Sequence, residues 1–320
     1  MICVQMSEKF EIRPRIVLSR CLNIAYVRYN GGIIENDFTR RLMNYVDYVS
    51  VCPEVDIGMS VPRPPVFLYK KGDSIRMIEP SSMRDYTDDI LSFSDRFLGS
   101  VGEVDGFVLK SKSPSCGVKD AKLYQENLRG LINAKSNGLF AQKVIERFSY
   151  LPVESEGRLN DYWIRRDFLT KIFSFARLRY LKSNCKDIND LMRFHQQHKY
   201  LLMLYDPNSL KRMGNMVGNW KKYGLEITLK VYVEMFYKAF SRRSNIKKHV
   251  NVIQHILGYF SKKVNQSEKK HLHVMLEKFM NNSLQLEVLL EYIRGFIYRF
   301  DDEYLASQFY LNPFPEELIL

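Results

Sequence analysis

Short apolar runs bounded by turn residues recur in the first half of the chain. They cover residues 15–19, 48–51 and 106–110 and are rich in the β-branched and aromatic residues that strands favour. Between them lie segments whose apolar positions repeat at helical spacing, roughly 36–45, 82–98 and 124–134. Strands that alternate with helices predict an α/β domain with an open, mostly parallel, Rossmann-like sheet.

The second half has a different pattern. From about residue 168 onward, apolar residues return at intervals of three and four, and proline is absent between 208 and 312. This pattern predicts an all-α helical-bundle domain. The periodicity is interrupted near residues 152–160, so we place the two domains at 1–160 and 161–320.

Length and charge agree with two domains. The 320 residues are about twice a typical domain length of ~150. Residues 1–160 hold 22 lysines and arginines against 20 acidic residues, whereas residues 161–320 hold 26 against 16. The excess of ten positive charges in the second half is typical of a surface that binds a polyanion, although a solvated basic surface has the same composition.

Several classes of protein do not fit this sequence. No stretch approaches the ~18 uninterrupted apolar residues of a membrane-spanning helix. The first residues lack the basic-then-apolar layout of a signal peptide, so we expect a cytoplasmic protein. Five cysteines are too few for a disulfide-stapled scaffold.

Three cysteines follow the three predicted strands. Cys21 comes shortly after the first strand, Cys52 directly after the second, and Cys116 a few residues after the third. Ligands of open α/β sheets bind outside the carboxyl ends of the strands. If the three strands are neighbours, the three thiols converge on that crevice.

Converging thiols allow three interpretations. Structural zinc normally takes four ligands, with cysteines in pairs of short spacing, and the chain has no Cys-x-x-Cys. An iron–sulfur cluster normally takes four thiolates, so three would leave one iron open to an exogenous ligand. Alternatively, free cysteines pack in cores as small hydrophobic residues.

Polar residues beside these cysteines are candidates for proton transfer. Glu54 lies two residues after Cys52, and Ser113 belongs to a serine-rich approach to Cys116. A carboxylate in a dehydrated pocket is suited to general acid–base work. A surface carboxylate and an ordinary turn serine are the alternative interpretations.

These segments resemble a known family. Ser19-Arg20-Cys21-Leu22 is followed by Val27-Arg28-Tyr29-Asn30-Gly31-Gly32, then by Cys52-Pro53-Glu54-Val55 with Val61-Pro62-Arg63-Pro64-Pro65, and finally by Ser113-Pro114-Ser115-Cys116-Gly117. In this order they look like the thiouracil desulfidase (TudS-like) family. The second half, from Phe194-His195-Gln196-Gln197-His198 to the C-terminus, resembles the helical domain fused to desulfidases that act on 4-thiouridine in tRNA.

The resemblance implies a cofactor and a reaction. Cys21, Cys52 and Cys116 match the family's three ligands of a [4Fe-4S] cluster that keeps one iron open, and Glu54 and Ser113 match its acid–base and substrate-orienting positions. The implied reaction is non-redox removal of sulfur from 4-thiouridine in tRNA, which yields uridine and hydrogen sulfide. Desulfurisation of a free thiobase such as 2-thiouracil is one alternative, and a non-catalytic iron–sulfur RNA-binding regulator is another.

One motif departs from the family, which usually has aspartate where this chain has Asn30. The amide keeps the shape but loses the charge, so a proton-transfer role at this position is in doubt. Cys3 and Cys185 match no family cysteine, and we expect them to be an N-terminal thiol and a packing residue.

The second half supplies candidates for RNA contact. Clustered cations suit a phosphate backbone, because phosphate contacts supply affinity without sequence information. His195, His198, His249 and His255 lack the cysteine or carboxylate partners at fixed spacing that would indicate zinc. The candidate RNA-binding residues are Arg242, Arg243, Lys247, Lys248, His249, Lys262 and Lys263.

Overall fold

A computed structural model describes residues 11–128 and 130–319 of the protein, with the backbone alone described at 133 and 134. These residues form two compact units. The first comprises Arg13–Ala176 together with residues 315–319, and the second comprises Arg177–Phe314 together with residues 11–12. The division falls within a single helix, Tyr162–Asn184.

The first unit contains the strands of the described chain, which form two sheets. The strands are β1 (Arg15–Ser19), β2 (Asp47–Val51), β3 (Phe67–Lys71), β4 (Ser74–Glu79), β5 (Arg84–Asp85), β6 (Gly106–Leu109), β7 (Ala121–Tyr124), β8 (Leu131–Ser136) and β9 (Val153–Ser155). The four-stranded sheet has the order β2-β1-β6-β9, and all of its strands are parallel. The five-stranded sheet has the order β5-β4-β3-β7-β8.

The parallel sheet confirms the strands predicted from the apolar runs. Ile16, Val17 and Leu18 of β1 are fully buried, as are Phe107 and the rest of the apolar run in β6. Continuous apolar runs are typical of parallel strands, because helices cover both faces of such sheets. The central strands of this sheet therefore had the strongest sequence signal.

The five-stranded sheet was not predicted. Its neighbouring strands are antiparallel except for β3 and β7, which are parallel. The helix predicted over residues 124–134 is wrong, because this segment contains the end of β7, a turn and the start of β8. Pairing of β7 with β3 satisfies its backbone groups in a ladder and overrides the local helical spacing.

The helices predicted over residues 36–45 and 82–98 are both present in the first unit, and their ends are shifted by a few residues. Asn36 caps the first helix, since its side chain accepts a hydrogen bond from the backbone N–H of Thr39. The helix predicted over 82–98 begins five residues later, after the short strand β5. These helices are α1 (Asp37–Met43), α2 (Pro53–Asp56), α3 (Thr87–Ser100), α4 (Leu139–Arg147) and α5 (Tyr162–Asn184), whose last turns belong to the second unit.

The second unit is helical, as predicted. Its helices bury large aromatic residues, among them Tyr232, Phe236 and Phe240 on one helix face. No helix within the described ranges has the length and apolarity needed to cross a membrane. The helices are α6 (Ile188–Gln197), α7 (Lys199–Tyr205), α8 (Pro207–Gly218), α9 (Trp220–Tyr223), α10 (Leu225–Phe240), α11 (Ile246–Gly258), α12 (Gln266–Met280), α13 (Leu286–Phe300) and α14 (Glu303–Ala306).

Candidate active site

Cys21, Cys52 and Cys116 line one cavity of about 460 Å³ in the first unit. The strands that precede them are neighbours in the order β2-β1-β6, and Ser19 at the end of β1 pairs with Val51 at the end of β2. The carboxyl ends of these parallel strands therefore lie at the same edge of the sheet, as the sequence predicted. The volume is in the range of about 300–1,000 Å³ that is usual for small-molecule sites.

Cys52 is held at the junction of β2 and α2. It is the N-cap residue of α2, and its backbone N–H donates to Asp56 Oδ2 at 3.2 Å. Arg20 in turn donates two hydrogen bonds to the Asp56 carboxylate, at 2.7 and 3.1 Å. This arrangement connects the end of β1 to the end of β2 beside two of the three cysteines.

Cys116 lies in a tight loop organised by Ser113. Ser113 Oγ accepts hydrogen bonds from the backbone N–H groups of Ser115 and Cys116, at 3.2 and 3.1 Å. The loop packs directly on the start of α4, where a Cβ on Gly138 would lie 2.4 Å from the carbonyl carbon and oxygen of Ser115. Glycine at position 138 permits this close approach of two backbone segments.

Burial keeps the three thiols in their neutral form in the protein alone. Burial, together with the neighbouring Cys52, raises the pKa of Cys21 to about 12. Burial also raises the pKa of Cys52 and raises that of Cys116 well above its usual value. Thiols in such a site become thiolates when a metal centre supplies the compensating positive charge.

The three thiols are donors of the kind that bind a metal–sulfur cluster. In the parts of the chain that the structure describes, no group of three or more His, Cys, Asp or Glu side chains is arranged to hold one metal ion. A cluster takes thiolates at separate irons, so its ligands need not meet at a point. Three soft sulfur donors around one cavity are compatible with that geometry.

Glu54 lines the same cavity and has both carboxylate oxygens engaged. Oε2 accepts hydrogen bonds from Arg63 Nε at 3.0 Å and Nη2 at 2.6 Å, and Oε1 accepts one from Ser115 Oγ at 2.7 Å. The side chains of Glu54 and Arg63 are only 12% and 4% exposed. The carboxylate is therefore fixed in a buried ion pair and joins α2 to the loop of Cys116.

A second ion pair, between a partly buried lysine and a buried glutamate, was missed by the sequence analysis. Lys110 Nζ donates to Glu156 Oε1 at 2.6 Å, and Glu156 also accepts hydrogen bonds from the hydroxyl and the backbone N–H of Ser111. Glu156 directly follows β9, so it lies at the same sheet edge as the cysteines. With only three residues, β9 is too short to be recognised from its sequence pattern.

Asn30 makes a local turn in place of the family's usual aspartate. Its Oδ1 accepts a hydrogen bond from the backbone N–H of Gly32 at 3.1 Å. An amide oxygen supplies this acceptor as an aspartate would.

The candidate RNA-binding residues lie in the second unit and differ in exposure. Arg243, Lys247, Lys262 and Lys263 are exposed to solvent. Arg242 is exposed and forms an ion pair with Asp206 at 3.3 Å. Lys248 Nζ donates to the backbone carbonyls of Tyr205 and Arg243, at 3.1 and 2.8 Å. Arg242 and Lys248 already have protein partners, so they are less available to a phosphate than the other four cations.

His249 does not fit the predicted phosphate contact. It is 2% exposed, and its Nδ1 lies 3.0 Å from Tyr310 Oη in the helical core. A phosphate contact requires an exposed side chain, so we exclude His249 from the candidate surface. His198 is also fully buried, whereas His255 is exposed. Cys185 lies just after α5, and Cys3 lies outside the described residues.

Comparison with known protein families also divides the chain into an N-terminal and a C-terminal part. Residues 16–156 match the family model for 2-thiouracil desulfurase. Residues 199–315 match a model described as a protein of unknown function, DUF1722. The chain therefore carries a TudS-like domain fused to a helical domain, as the resemblance implied.

The known proteins that match each cover about half of the chain. Uncharacterized protein YbgA of Escherichia coli (strain K12) is 22% identical over 153 residues, which are 48% of this chain and 90% of that protein. Uncharacterized protein YbbK of Bacillus subtilis (strain 168) is 28% identical over 153 residues, which are 46% of this chain and 98% of that protein. The solved structure of the [4Fe-4S]-dependent thiouracil desulfidase TudS matches 46% of this chain and 94% of its own, with 25% identity and a TM-score of 0.37.

Proposed function

We propose that the protein is a non-redox, [4Fe-4S]-dependent desulfidase that converts 4-thiouridine in tRNA to uridine and releases hydrogen sulfide. One observation carries the proposal: three thiols from three neighbouring strand ends line one cavity, within the segment that matches the 2-thiouracil desulfurase model. The helical unit would hold the RNA while the α/β unit performs the reaction.

Cys21, Cys52 and Cys116 would hold the cluster and leave one iron without a protein ligand. When bound, such a cluster supplies a Lewis acid for the thiocarbonyl sulfur of the substrate. Hydrogen bonds from the backbone N–H groups of Cys52 and Cys116 hold these two residues in place.

The reaction is a hydrolysis, and its atoms balance without a redox partner. The oxygen of water forms a bond to the ring carbon, the carbon–sulfur bond breaks, and the two protons of water leave on the sulfide. In our proposal Glu54 takes a proton from the attacking water, and Ser113 orients the substrate. Both residues line the cavity, and the contacts of Glu54 with Arg63 and Ser115 hold its carboxylate in place.

Exposed cations of the second unit would bind the RNA backbone. The candidates are Arg243, Lys247, Lys262 and Lys263, with Arg242 and Lys248 as secondary contributors because each already has a protein partner. Such contacts are electrostatic, so the affinity for tRNA should fall steeply as the salt concentration rises.

The first experiment is anaerobic purification with iron and sulfide analysis, followed by incubation with bulk tRNA. We expect about four irons and four sulfides per chain and loss of 4-thiouridine, measured by mass spectrometry of the digested nucleosides. Cys116→Ala should lose both the iron and the activity, whereas Cys185→Ala should keep both. A cluster-loaded protein that leaves 4-thiouridine intact would contradict the proposal.

A free thiobase such as 2-thiouracil is the second candidate substrate, because the matching family model is described by that base. Activity on 2-thiouracil together with a lack of salt-dependent tRNA binding would favour it. A loaded protein that binds RNA but converts neither substrate would instead be a non-catalytic iron–sulfur regulator. The cavity beside the three thiols favours an enzyme, since a regulator needs no room for a substrate.

A further inference from the structure

Ser19 is connected to two of the three thiols. It is the last residue of β1, is 1% exposed and lines the cavity that contains the thiols. Its carbonyl oxygen accepts a hydrogen bond from the Leu22 N–H at 2.9 Å, which closes the turn that contains Cys21. The main chain of Ser19 therefore belongs to the loop of the first thiol.

The side chain of Ser19 reaches the end of the neighbouring strand. Its Oγ accepts a hydrogen bond from the N–H of Lys110, the residue directly after β6, at 2.9 Å. A hydroxyl that accepts a hydrogen bond from one group still has a proton to donate to another. The Ser19 hydroxyl is therefore able to donate to a second partner.

That second partner is the side chain of Cys116. Burial raises the pKa of the Cys116 thiol well above its usual value, whereas a hydrogen bond with the Ser19 side chain lowers it. A hydrogen bond lowers the pKa of a thiol when it is donated to the charged form. The Ser19 hydroxyl is therefore the donor, and the Cys116 sulfur is the acceptor.

The kind of donor distinguishes Cys116 from Cys52. Burial raises the pKa of Cys52, and a hydrogen bond with the backbone of Val55 lowers it. A backbone N–H is present in every residue except proline, so side-chain substitutions leave that donor in place. The donor to Cys116 is a side chain, so this contact depends on the residue at position 19.

We propose that Ser19 is a positioning residue for the cluster: its hydroxyl donates a hydrogen bond to the Cys116 sulfur, helps to retain the cluster and raises its reduction potential. Hydrogen bonds to the ligand sulfurs are among the features that set the potential of an iron–sulfur cluster. Such a bond withdraws electron density from the sulfur, so the thiolate donates less to iron. Ser19 acts through Cys116 and needs no contact with the substrate. This inference rests on the proposed function, because it requires the cluster.

The main test measures the reduction potential of the full chain after anaerobic purification, by redox titration with electron paramagnetic resonance of the reduced cluster. Ser19→Ala should shift the potential to lower values, because alanine has no hydroxyl to donate. Ser19→Thr keeps the hydroxyl on a side chain that strands favour, so it should have the potential of the unaltered protein. An unchanged potential in Ser19→Ala overturns the proposal, and so does an equal shift in both variants.

A second measurement follows the release of iron to a chelator under anaerobic conditions. We expect iron to leave Ser19→Ala about ten- to a hundredfold faster than it leaves the unaltered protein, as when the support of a metal ligand is removed. Ser19→Thr should release iron at the original rate. Loss of all iron from a Ser19→Ala protein that is folded by circular dichroism, with iron restored in Ser19→Thr, also supports the proposal. Equal release rates in Ser19→Ala and the unaltered protein contradict it.

The chain offers a matched control variant, Ser155→Ala. Ser155 is the last residue of β9, is fully buried, and accepts a hydrogen bond from the backbone N–H of Arg158 through its Oγ. It does not line the cavity. This variant loses the same hydroxyl from the same sheet and should keep both the potential and the rate of iron release. A change as large as that in Ser19→Ala would assign the effect to the sheet and overturn the role of Ser19.

Neither measurement needs turnover, so the inference and the proposed reaction are tested separately. A lower potential and faster iron release in Ser19→Ala support the role of Ser19 even if no thiolated compound is converted. An active protein whose potential and iron release do not respond to the substitution overturns this role and leaves the proposed function intact. An unaltered protein that binds no iron contradicts both.

Discussion

Glu54 and Arg63 form a buried ion pair, with Arg63 Nη2 2.6 Å from Glu54 Oε2, at the wall of the cavity that contains the three thiols. Arg63 comes from the proline-rich loop after α2, and its Nη1 also donates to the carbonyls of Val27 and Ser60. One guanidinium therefore holds three parts of the site together.

Replacement of Arg63 by glutamine should destabilise the protein strongly. Removal of one partner leaves the other charge buried without compensation, which typically costs about 3–5 kcal/mol. Urea unfolding of the full chain measures this loss. Arg40→Gln is the control, because Arg40 pairs with Glu35 and Asp37 at an exposed position, where an ion pair contributes within about 1 kcal/mol. Similar losses in both variants would contradict the importance of the buried pair.

Replacement of Gly138 by alanine should impair cluster binding. The added Cβ would lie 2.4 Å from the carbonyl of Ser115 and 2.7 Å from the nitrogen of Cys116, so the loop must shift. We expect cluster retention to weaken by about ten- to a hundredfold, as when the support of a metal ligand is removed. Iron content after desalting reports the effect. Gly99→Ala, at a helical position with nothing within 4 Å, should keep the iron content of the unaltered protein.

Removal of exposed cations in the second unit should change the salt dependence of RNA binding. The triple variant Arg243→Gln, Lys247→Gln, Lys262→Gln should lower the slope of log affinity against log salt by about three, or about one per phosphate contact. Fluorescence anisotropy with labelled tRNA measures the slope. The control carries the same substitution at Lys269, Lys270 and Lys278, which are exposed on α12. An unchanged slope in the first variant would place the RNA elsewhere.

Acid should destabilise the helical unit through His195. Burial, with a contribution from Lys199, lowers the pKa of His195 to about 4, whereas the unfolded chain titrates near 6.5. Between these two values the unfolded state binds the extra proton, so the contribution of His195 to stability falls as the pH drops below about 6.5 and levels off below about 4. For one such group the slope reaches about 1.4 kcal/mol per pH unit.

The variant His195→Gln tests this dependence. Glutamine retains a hydrogen-bonding group for Tyr232, whose hydroxyl lies 3.1 Å from His195 Nδ1, and it does not titrate. Urea unfolding between pH 5 and 7.5 should give a shallower pH dependence than in the unaltered protein. His273→Gln, at an exposed position, should leave the slope as it was. A steep slope that persists in His195→Gln would assign the acid sensitivity to another group.

The sequence predicted the central strands β1 and β6 well because these strands are buried. The apolar run of β1 needs no distant partner to be recognised, and the same holds for β6. The second sheet forms by pairing between segments that are distant in the sequence. The apolar positions across β7 and β8 repeat at helical spacing, so the local pattern predicted a helix there. One local signal was available: Gly72 and Asp73 form the two-residue turn between β3 and β4, with Gly72 at a φ of +58°.

The candidate site was predictable to a similar extent. The positions of Cys21, Cys52 and Cys116 after their strands required only the rule that ligands lie at the carboxyl edge of such sheets. Arg63, Lys110 and Glu156 were missed, because an ion pair between residues 9 or 46 positions apart leaves no periodic trace in one sequence.

Two different sheets supply the walls of the cavity. The thiols follow the ends of parallel strands, whereas Phe67, Tyr124 and Lys122 belong to β3 and β7 of the second sheet. Under the proposed function, reaction chemistry and substrate choice are consequently encoded in separable parts of one domain. Substitutions in β3 and β7 offer a way to redirect such an enzyme from one thiolated compound to another while its metal ligands stay untouched.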